Sequence, residues 1–334
     1  MNWNKGISAT YYAYEIDPIS WREKDRIEII GGSINHDLDG LRESAEIQCT
    51  RYDAGTEKWI RIYLDATQNG NSEHIPLFTG IACTPSISID GYMMNNTISC
   101  YSTLKPAKDV LLPRGYFVLE GANGAEAVKE LLSVTPAPIS IEGVSGTLTQ
   151  SIIAEDGETH LSMADKILKA IDLRLGINGD GSIRITTKAR GVSGSFDALE
   201  NDSIEPQISI ERDWFECPNV FRAIHDDLSA IARDDDPASP LSTVSRGREI
   251  WAEESSCDLS SGESISEYAA RRLKELQTVE ITASYDRRYD PDIQVSDLVK
   301  LNYPKQGLDG LFEVTSQKIE LGFGARVTEV VRKA

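Results

Sequence analysis

The sequence predicts a mainly β protein with an α+β insertion. Two barrel-like β domains, at 1–105 and 196–334, flank a small α+β region at 106–195. Three observations predict this. Both ends of the 334-residue chain alternate polar and apolar residues at the two-residue period of half-buried strands. Between Pro106 and about residue 195 the apolar spacing becomes helical. Clusters of Gly, Asn, Asp and Pro separate the alternating runs at short intervals, as in barrels and sandwiches.

In the first domain, DRIEII (25–30) and SAEIQCTRY (44–52) alternate. KWIRIYL (58–64) puts Trp59, Arg61 and Tyr63 on one face and Ile60, Ile62 and Leu64 on the other. NGNS (69–72) is a turn, followed by the strands IPLFTGIACTPSISID (75–90) and NTISCYST (96–103). In the insertion, NGAEAVKELL (123–132) is a helix burying Val128, Leu131 and Leu132. Asn123 is its N-cap, with Glu126 at capping-box spacing. THLSMADKILKAI (159–171) is a second helix, capped by Thr159, with a stripe of Leu161, Ala164, Ile167, Leu168 and Ile171. LRLGINGDGSIRI (173–185) is a hairpin around Asn178-Gly179-Asp180-Gly181, where the glycines are expected to supply unusual φ.

GVSGSFDALENDS (191–203) reads as a linker. PQISIERDW (206–214) and PNVFRAIHD (218–226) open the second β domain, and ARDDDPASPLSTVSRG (232–247) is a long exposed loop. SISEYAARRLKELQ (264–277) is a helix with Ser264 and Glu267 in a capping box. Its Ile265–Ala269–Leu273–Leu276 stripe is flanked by Tyr268, Arg271, Arg272 and Lys274. A meander ends the chain: Ile293 and Val295 alternate after Pro291, then Val299–Tyr303, Phe312–Ser316, IELGFG (319–324) and RVTEVV (326–331).

Composition excludes several function classes. Net charge is −19, concentrated between Phe196 and Gly262, where sixteen acids face five Lys/Arg, a net of −11. From Glu280 onward nine acids face eight basic residues. Binding to phosphate backbones needs clustered Lys/Arg, so direct nucleic-acid binding is not expected. No apolar run of about 18 residues is present, and MNWNKGISATYYAYEID lacks the apolar core of a secretion signal. Membrane insertion is therefore not expected, and folding in a cytoplasm is. The five cysteines, Cys49, Cys83, Cys100, Cys217 and Cys257, are scattered without a C-x-x-C and read as buried free thiols in strands.

No catalytic, cofactor-binding or metal site is predicted. His36, His74, His160 and His225 have no His partner at i+3 or i+4. Phosphate-cradling glycine motifs and G-x-S-x-G are absent. Asp226–Asp227, Asp234 to Asp236, Asp290–Asp292 and Glu253–Glu254 are paired carboxylates, but charge runs usually form solvated faces. DDDPASP lacks the ligand spacing and glycine of an EF-hand loop.

The order of the C-terminal segments, helix then VEITASYDRRYDPDIQVSDLVKLNYPKQGLDGLFEVTSQKIELGFGARVTEVVR, resembles the last barrel of phage tail baseplate hub proteins, the late-control D-like hubs of contractile tails. The resemblance rests on a Pro-Asp-Ile lead-in, Asp297 before Leu298-Val299, a turn with Gly307 and Gly310, and Val314, Ser316 and Ile319 in the next strand. The family often has Gly where this chain has Ser296. LFTG (77–80), NTISCYSTLKPAKDVLL (96–112) and PNVFRAI (218–224) resemble family strands, so the likeness spans nearly the whole chain.

The resemblance implies a structural role and no enzymatic activity. It implies a homotrimer whose two barrels per subunit form a pseudo-sixfold ring adapting a sixfold tail tube to a threefold spike. Implied partners are a tail tube or distal tail protein, a separate central spike protein and a tape-measure protein, with DNA passing through unbound. The implied location is the virion tail of a phage or prophage, after assembly in a bacterial cytoplasm. Two other readings remain: a carbohydrate-binding or adhesin module using Trp59, Trp214 or Trp251, and a carboxylate-based cell-wall hydrolase.

Overall fold

The computed structural model describes all residues except 4, 51–54, 91–92, 188–190, 198–203, 216, 226–227, 256, 258–262 and 278–279. The mainly β expectation holds, with 51% strand against 15% helix. The chain forms two compact units: Met1–Ile208 with Ser284–Arg332 and Ala334, and Ser209–Ala283 with Lys333. Both boundaries expected from sequence, at 105 and 195, fall inside the first unit.

That unit begins with a closed barrel. Its strands are β1 (Ser8–Ile16), β2 (Glu23–Asp37), β3 (Glu43–Thr50), β4 (Lys58–Gln68), β5 (Asn71–Asp90) and β6 (Met93–Ser102). β1 pairs with both β2 and β4, so the antiparallel order β1–β4–β5–β6–β3–β2 returns on itself. Closure removes the free edges an open sheet would expose. Ile60, Ile62 and Leu64 enter a core with Ile34, Ile47, Phe78 and Ile98, as the alternation predicts. Gly80, the last residue of LFTG, is required by close packing: a Cβ there would overlap the Tyr101 carbonyl on β6 and the Phe78 ring.

The insertion follows: α1 (Lys105–Asp109), β7 (Phe117–Val118), α2 (Gly124–Leu132), β8 (Ile139–Ile141), β9 (Ile152–Ile153), α3 (His160–Ala170), β10 (Leu173–Ile177) and β11 (Ile183–Thr187). β10 and β11 form the predicted hairpin, and β8 adds in parallel to β11. The Asn123 side chain accepts from the backbone N–H groups of Ala125 and Glu126, so it caps α2 alone. Thr159 caps α3 in a reciprocal box with Ser162. The buried faces of α2 and α3 pack on Leu175, Ile183 and Ile185 of the hairpin.

The linker expectation is corrected. Val192–Asp197 is strand β12, parallel to β18 (Leu298–Tyr303), while 198–203 lie outside the described residues. The other late strands are β13 (Ile204–Asp213), β17 (Glu280–Arg288), β19 (Leu308–Glu320) and β20 (Arg326–Lys333), giving the order β12–β18–β19–β20–β17–β13. β19 serves two sheets. Its first half pairs with β18, and Ser316–Glu320 pair with Ser33–Asp37 of β2. Barrel and second sheet are thus one continuous twelve-stranded sheet.

A further correction concerns 289–297. Ile293 and Val295 alternate, but the segment is a pair of turns, and the strand begins at Leu298. The segment is pinned from below. Gln317 on β19 donates to the Ile293 carbonyl (3.0 Å) and to Glu329 Oε2 on β20 (2.7 Å). Glu329 is fully buried and also accepts from Arg287 Nη2 (2.6 Å) and Nε (2.8 Å), and from the Tyr285 hydroxyl (2.5 Å). Burial, then the Glu329 charge, pushes Tyr285 well above the usual phenol range. Ser296 sits in the left-handed region at φ 72°. That is the conformation glycine adopts without penalty.

The second unit holds β14 (Val220–His225), β15 (Leu228–Arg233), α4 (Thr243–Arg246), β16 (Trp251–Ser255) and α5 (Ile265–Leu276). β14 is central, antiparallel to β15 and parallel to β16. α5 lays Ala269 and Leu273 on Phe221 and Ala223, with the predicted Ser264–Glu267 box at its start. Tyr268, expected to flank the stripe, is buried instead, its hydroxyl on Glu254 Oε1 (2.6 Å). The loop at 232–247 is anchored, with Leu241 and Ser242 buried, and ends in α4. Asn219 bridges it through the carbonyls of Leu241 (3.2 Å) and Arg248 (2.9 Å).

Two outcomes follow for the second sheet. Glu329→Gln leaves a buried guanidinium without its counter-charge and should cost about 3–5 kcal/mol; a urea midpoint close to wild type would contradict this. Ser296→Gly relieves a left-handed Ser, partly offset by unfolded-chain entropy, and should stabilise the protein by up to about 1 kcal/mol, raising the midpoint. Ser296→Val at the same position should lower it.

Candidate functional site

The carboxylate pairs singled out in the sequence serve local structure. Asp290 accepts from the backbone N–H of Asp292 (3.0 Å) around Pro291. Asp234 accepts from Ser239 (2.6 Å) and Gln277 (2.9 Å), and Asp236 from the Ala238 N–H (2.9 Å). Glu253 pairs with Arg222, while Glu254 pairs with Arg272 (3.1 Å). Asp226–Asp227 lie outside the described residues. Cys49 and Cys100 are buried in strands; Cys217 and Cys257 are buried outside them, and Cys83 is half-buried. Burial pushes the Cys49 thiol up to about 11 and Cys100 higher still. Trp59 packs against Trp21 at 5.5 Å, whereas Trp214 and Trp251 in the second unit are 43% and 49% exposed.

What the structure does bring together lies in the first unit. A cleft of about 630 Å³ opens between the β2–β3 connection, α3, the β10–β11 hairpin and the turns at 289–296. Its position depends on the hairpin tip. Thr79 on β5 donates to the Gly179 carbonyl (2.8 Å); Arg61 (2.9 Å) and Trp21 (3.1 Å) both donate to the Asp180 carbonyl. Arg61 is held by Thr79 Oγ1 (3.0 Å). The tip lies so close that a Cβ on Gly179 would overlap the Pro76 carbonyl. Gly179 is thus required by proximity, and of the three hairpin glycines only Gly181 has positive φ (82°). The expectation that all three answer to unusual φ is corrected accordingly.

The cleft is lined by charges in pairs of uneven quality. Arg42 holds Asp165 at 2.6 Å and Arg332 holds Glu313 at 2.9 Å. Arg174–Asp297 (3.8 Å) and Arg184–Glu142 (3.9 Å) are long. Burial lowers the Arg174 pKa, the neighbouring Arg184 charge adding to the shift. On adjacent strands His36 faces Glu43, Nδ1 to Oε1 at 3.1 Å. Burial raises the Glu43 pKa and Asp180 adds to it, while His36 opposes both. Chemically the cleft suits recognition of charged groups.

Sequence reading passed over His36 and Glu43, having weighed each histidine only for neighbouring histidines. The signal was available: Asp39-Gly40 between two alternating runs marks a hairpin, and a hairpin places His36 opposite Glu43.

No protein-family model and no curated protein matches the sequence. Solved structures do share its fold. A 43 kDa tail protein of prophage MuSo2 from Shewanella oneidensis is 14% identical, covering 98% of both chains at a TM-score of 0.67. A tail protein from Neisseria meningitidis MC58 is 13% identical, covering 98% of this chain and 96% of its own, also at 0.67. The E. coli c3393 protein, a type VI secretion component described as similar to T4 tail proteins gp27 and gp5, is 6% identical. It matches over 91% of this chain and 73% of its own at 0.50. The chain therefore has the fold of phage tail proteins.

Gly179→Ala should lift the hairpin tip off β5 and strip three hydrogen bonds, costing about 2–4 kcal/mol. Gly176→Ala, which meets only the Arg184 side chain, is the control and should be near neutral. Equal urea midpoints for the two variants would show that the tip does not depend on that close approach.

Proposed function

We propose that the protein is a structural component of a phage tail or tail-like injection machine, acting as the hub between tube and spike. The observation that carries this is a fold shared with two tail proteins along almost the whole length of each chain. The strand arrangement supports the finer reading. Each chain contributes one closed six-stranded barrel and a second sheet of six strands. Three copies then offer six similar walls, matching a sixfold tube while keeping threefold symmetry for a spike. In this reading the chain is a homotrimer in the virion tail, assembled in a bacterial cytoplasm. It contacts a tail tube or distal tail protein, a spike and a tape-measure protein, and DNA passes without specific binding.

The role is read as structural and not enzymatic. Engagement of the carboxylate pairs in turns and ion pairs supports that. One observation favours a second reading: exposed Trp214 and Trp251 are the platforms a carbohydrate-binding module would need. Glycan-array binding that Trp251→Ala abolishes would establish it.

Light scattering coupled to gel filtration tests the hub reading first. The expected mass is three times 36.8 kDa, with hollow sixfold-looking rings in negative stain. A strict monomer at high concentration would remove the intrinsic trimer, and glycan binding in that monomer would overturn the hub reading.

A further inference from the structure

Three large apolar side chains stand together in water on the insertion. Phe117 on β7 lies directly opposite Ile153 on β9, so the two share one face of that ribbon. Leu119 follows two residues beyond Phe117. Phe117, Leu119 and Ile153 are 54%, 61% and 66% exposed. Single exposed apolar residues are ordinary, whereas adjacent ones of this size mark a surface that meets a partner. Behind them Val118 and the buried residues of α2 belong to one core cluster, so the face has a firm backing.

An open groove of about 720 Å³ runs beside this face, between β7 and α2. Tyr116, Phe117, Val118, Leu119, Ala122 and Ala127 supply its apolar lining, and Glu126, Lys129 and Glu130 of α2 supply its charges. Glu126 and Glu130 are exposed, and neither makes an ion pair among the described residues. They stand at i and i+4 on the helix, where like charges are neighbours and repel. Burial, then the Glu130 charge, raises the Tyr116 pKa, which sets that charge against the groove. Lys129 is the one basic residue in the lining among the described residues, and exposed Glu120 beside Leu119 adds a third acid nearby. The excess charge at the groove is therefore negative.

These features select the occupant. The apolar lining is matched by apolar side chains, and the two acids of α2 by Lys or Arg. With two residues, β7 is too short to template an added strand, which leaves a helix laid in the groove. A second copy of a chain with net charge −19 would on balance bring acids to acids. We propose that the groove between β7 and α2 docks an amphipathic helix of a partner protein, its apolar anchors on Phe117 and Leu119 and its Lys or Arg residues on Glu126 and Glu130. Salt should weaken this docking, because the rim charges are exposed. The surface belongs to the insertion and does not depend on the hub reading.

Full-length protein is titrated, by fluorescence anisotropy, with a labelled peptide of leucine and lysine at amphipathic helical spacing. A leucine–glutamate counterpart and the leucine–lysine peptide with a central proline are controls. The expected result is saturable binding of the first peptide alone. Leu119→Asp and Phe117→Ser, both at exposed positions, should each weaken it at least about tenfold, as should Glu126→Lys combined with Glu130→Lys. Glu46→Lys combined with Glu211→Lys makes the same change of charge at exposed sites outside the groove and should bind as wild type does. The proposal is overturned if the first peptide does not bind, if either control peptide binds as tightly, or if the outside pair weakens binding as much as the groove pair. Should a groove variant not fold, a photoreactive phenylalanine analogue in the peptide decides on the wild type. Attachment within 116–133 supports the site, and attachment elsewhere overturns it. A drop in light-scattering mass on Leu119→Asp would give the groove to a second copy and overturn the assignment as well.

Discussion

The late half of the first unit depends on one carboxylate that water does not reach. Glu329 accepts from Tyr285 and Arg287 on β17 and from Gln317 on β19, so a single side chain on β20 ties three strands together. Removing an ion pair from water costs several kcal/mol per charge, and the pair recovers this only when both groups are well bonded. Here Arg287 makes two contacts to Glu329 and a third to the Arg288 carbonyl (2.9 Å). Strand register is the natural beneficiary. A one-residue slip of β20 would turn Glu329 to the opposite face and leave Arg287 alone in the interior.

The same network reaches the surface. Gln317 passes the constraint from Glu329 to the Ile293 carbonyl, which fixes the turns at 289–297. Three residues further along β19, Glu320 pairs with Ser33 of the barrel. The strand holding the turns is therefore also the strand joining the two sheets. A load on one sheet passes to the other through continuous backbone hydrogen bonds and not through side-chain contact alone.

Legibility in the sequence followed the range of the interaction. Ile60, Ile62 and Leu64 were assigned to the core because a strand's two faces are set by neighbours two residues apart. Caps at Asn123, Thr159 and Ser264 were visible because they act over two or three residues. Pairing of β19 with β2, nearly three hundred residues distant, has no local trace, and so the shared sheet was read as two domains. Alternation at Ile293 and Val295 misled for a related reason. A buried Ile293 and a half-buried Val295 flanking exposed Gln294 fit a strand, and they also fit two turns hung from Gln317. The cleft was hidden because it assembles from three stretches far apart in sequence: the β2–β3 connection, α3 with the hairpin that follows it, and the turns at 289–296.

The acidic middle of the chain takes on a different weight once folded. Counted along the sequence, 196–262 carries a net charge of −11. The compact unit that forms is Ser209–Ala283, where sixteen acids face eight Lys/Arg, a net of −8. α5 supplies the difference in kind as well as number: Arg271 pairs with Glu263 and Glu275, and Arg272 with Glu254 and Glu275. Charges paired within 4 Å project little field beyond a Debye length of about 8 Å at physiological salt. Any field reaching beyond the unit thus has to come from the acids left over, not from the run as counted in the sequence. A net charge of −8 disfavours adsorption to phosphate backbones without assigning any single carboxylate a role.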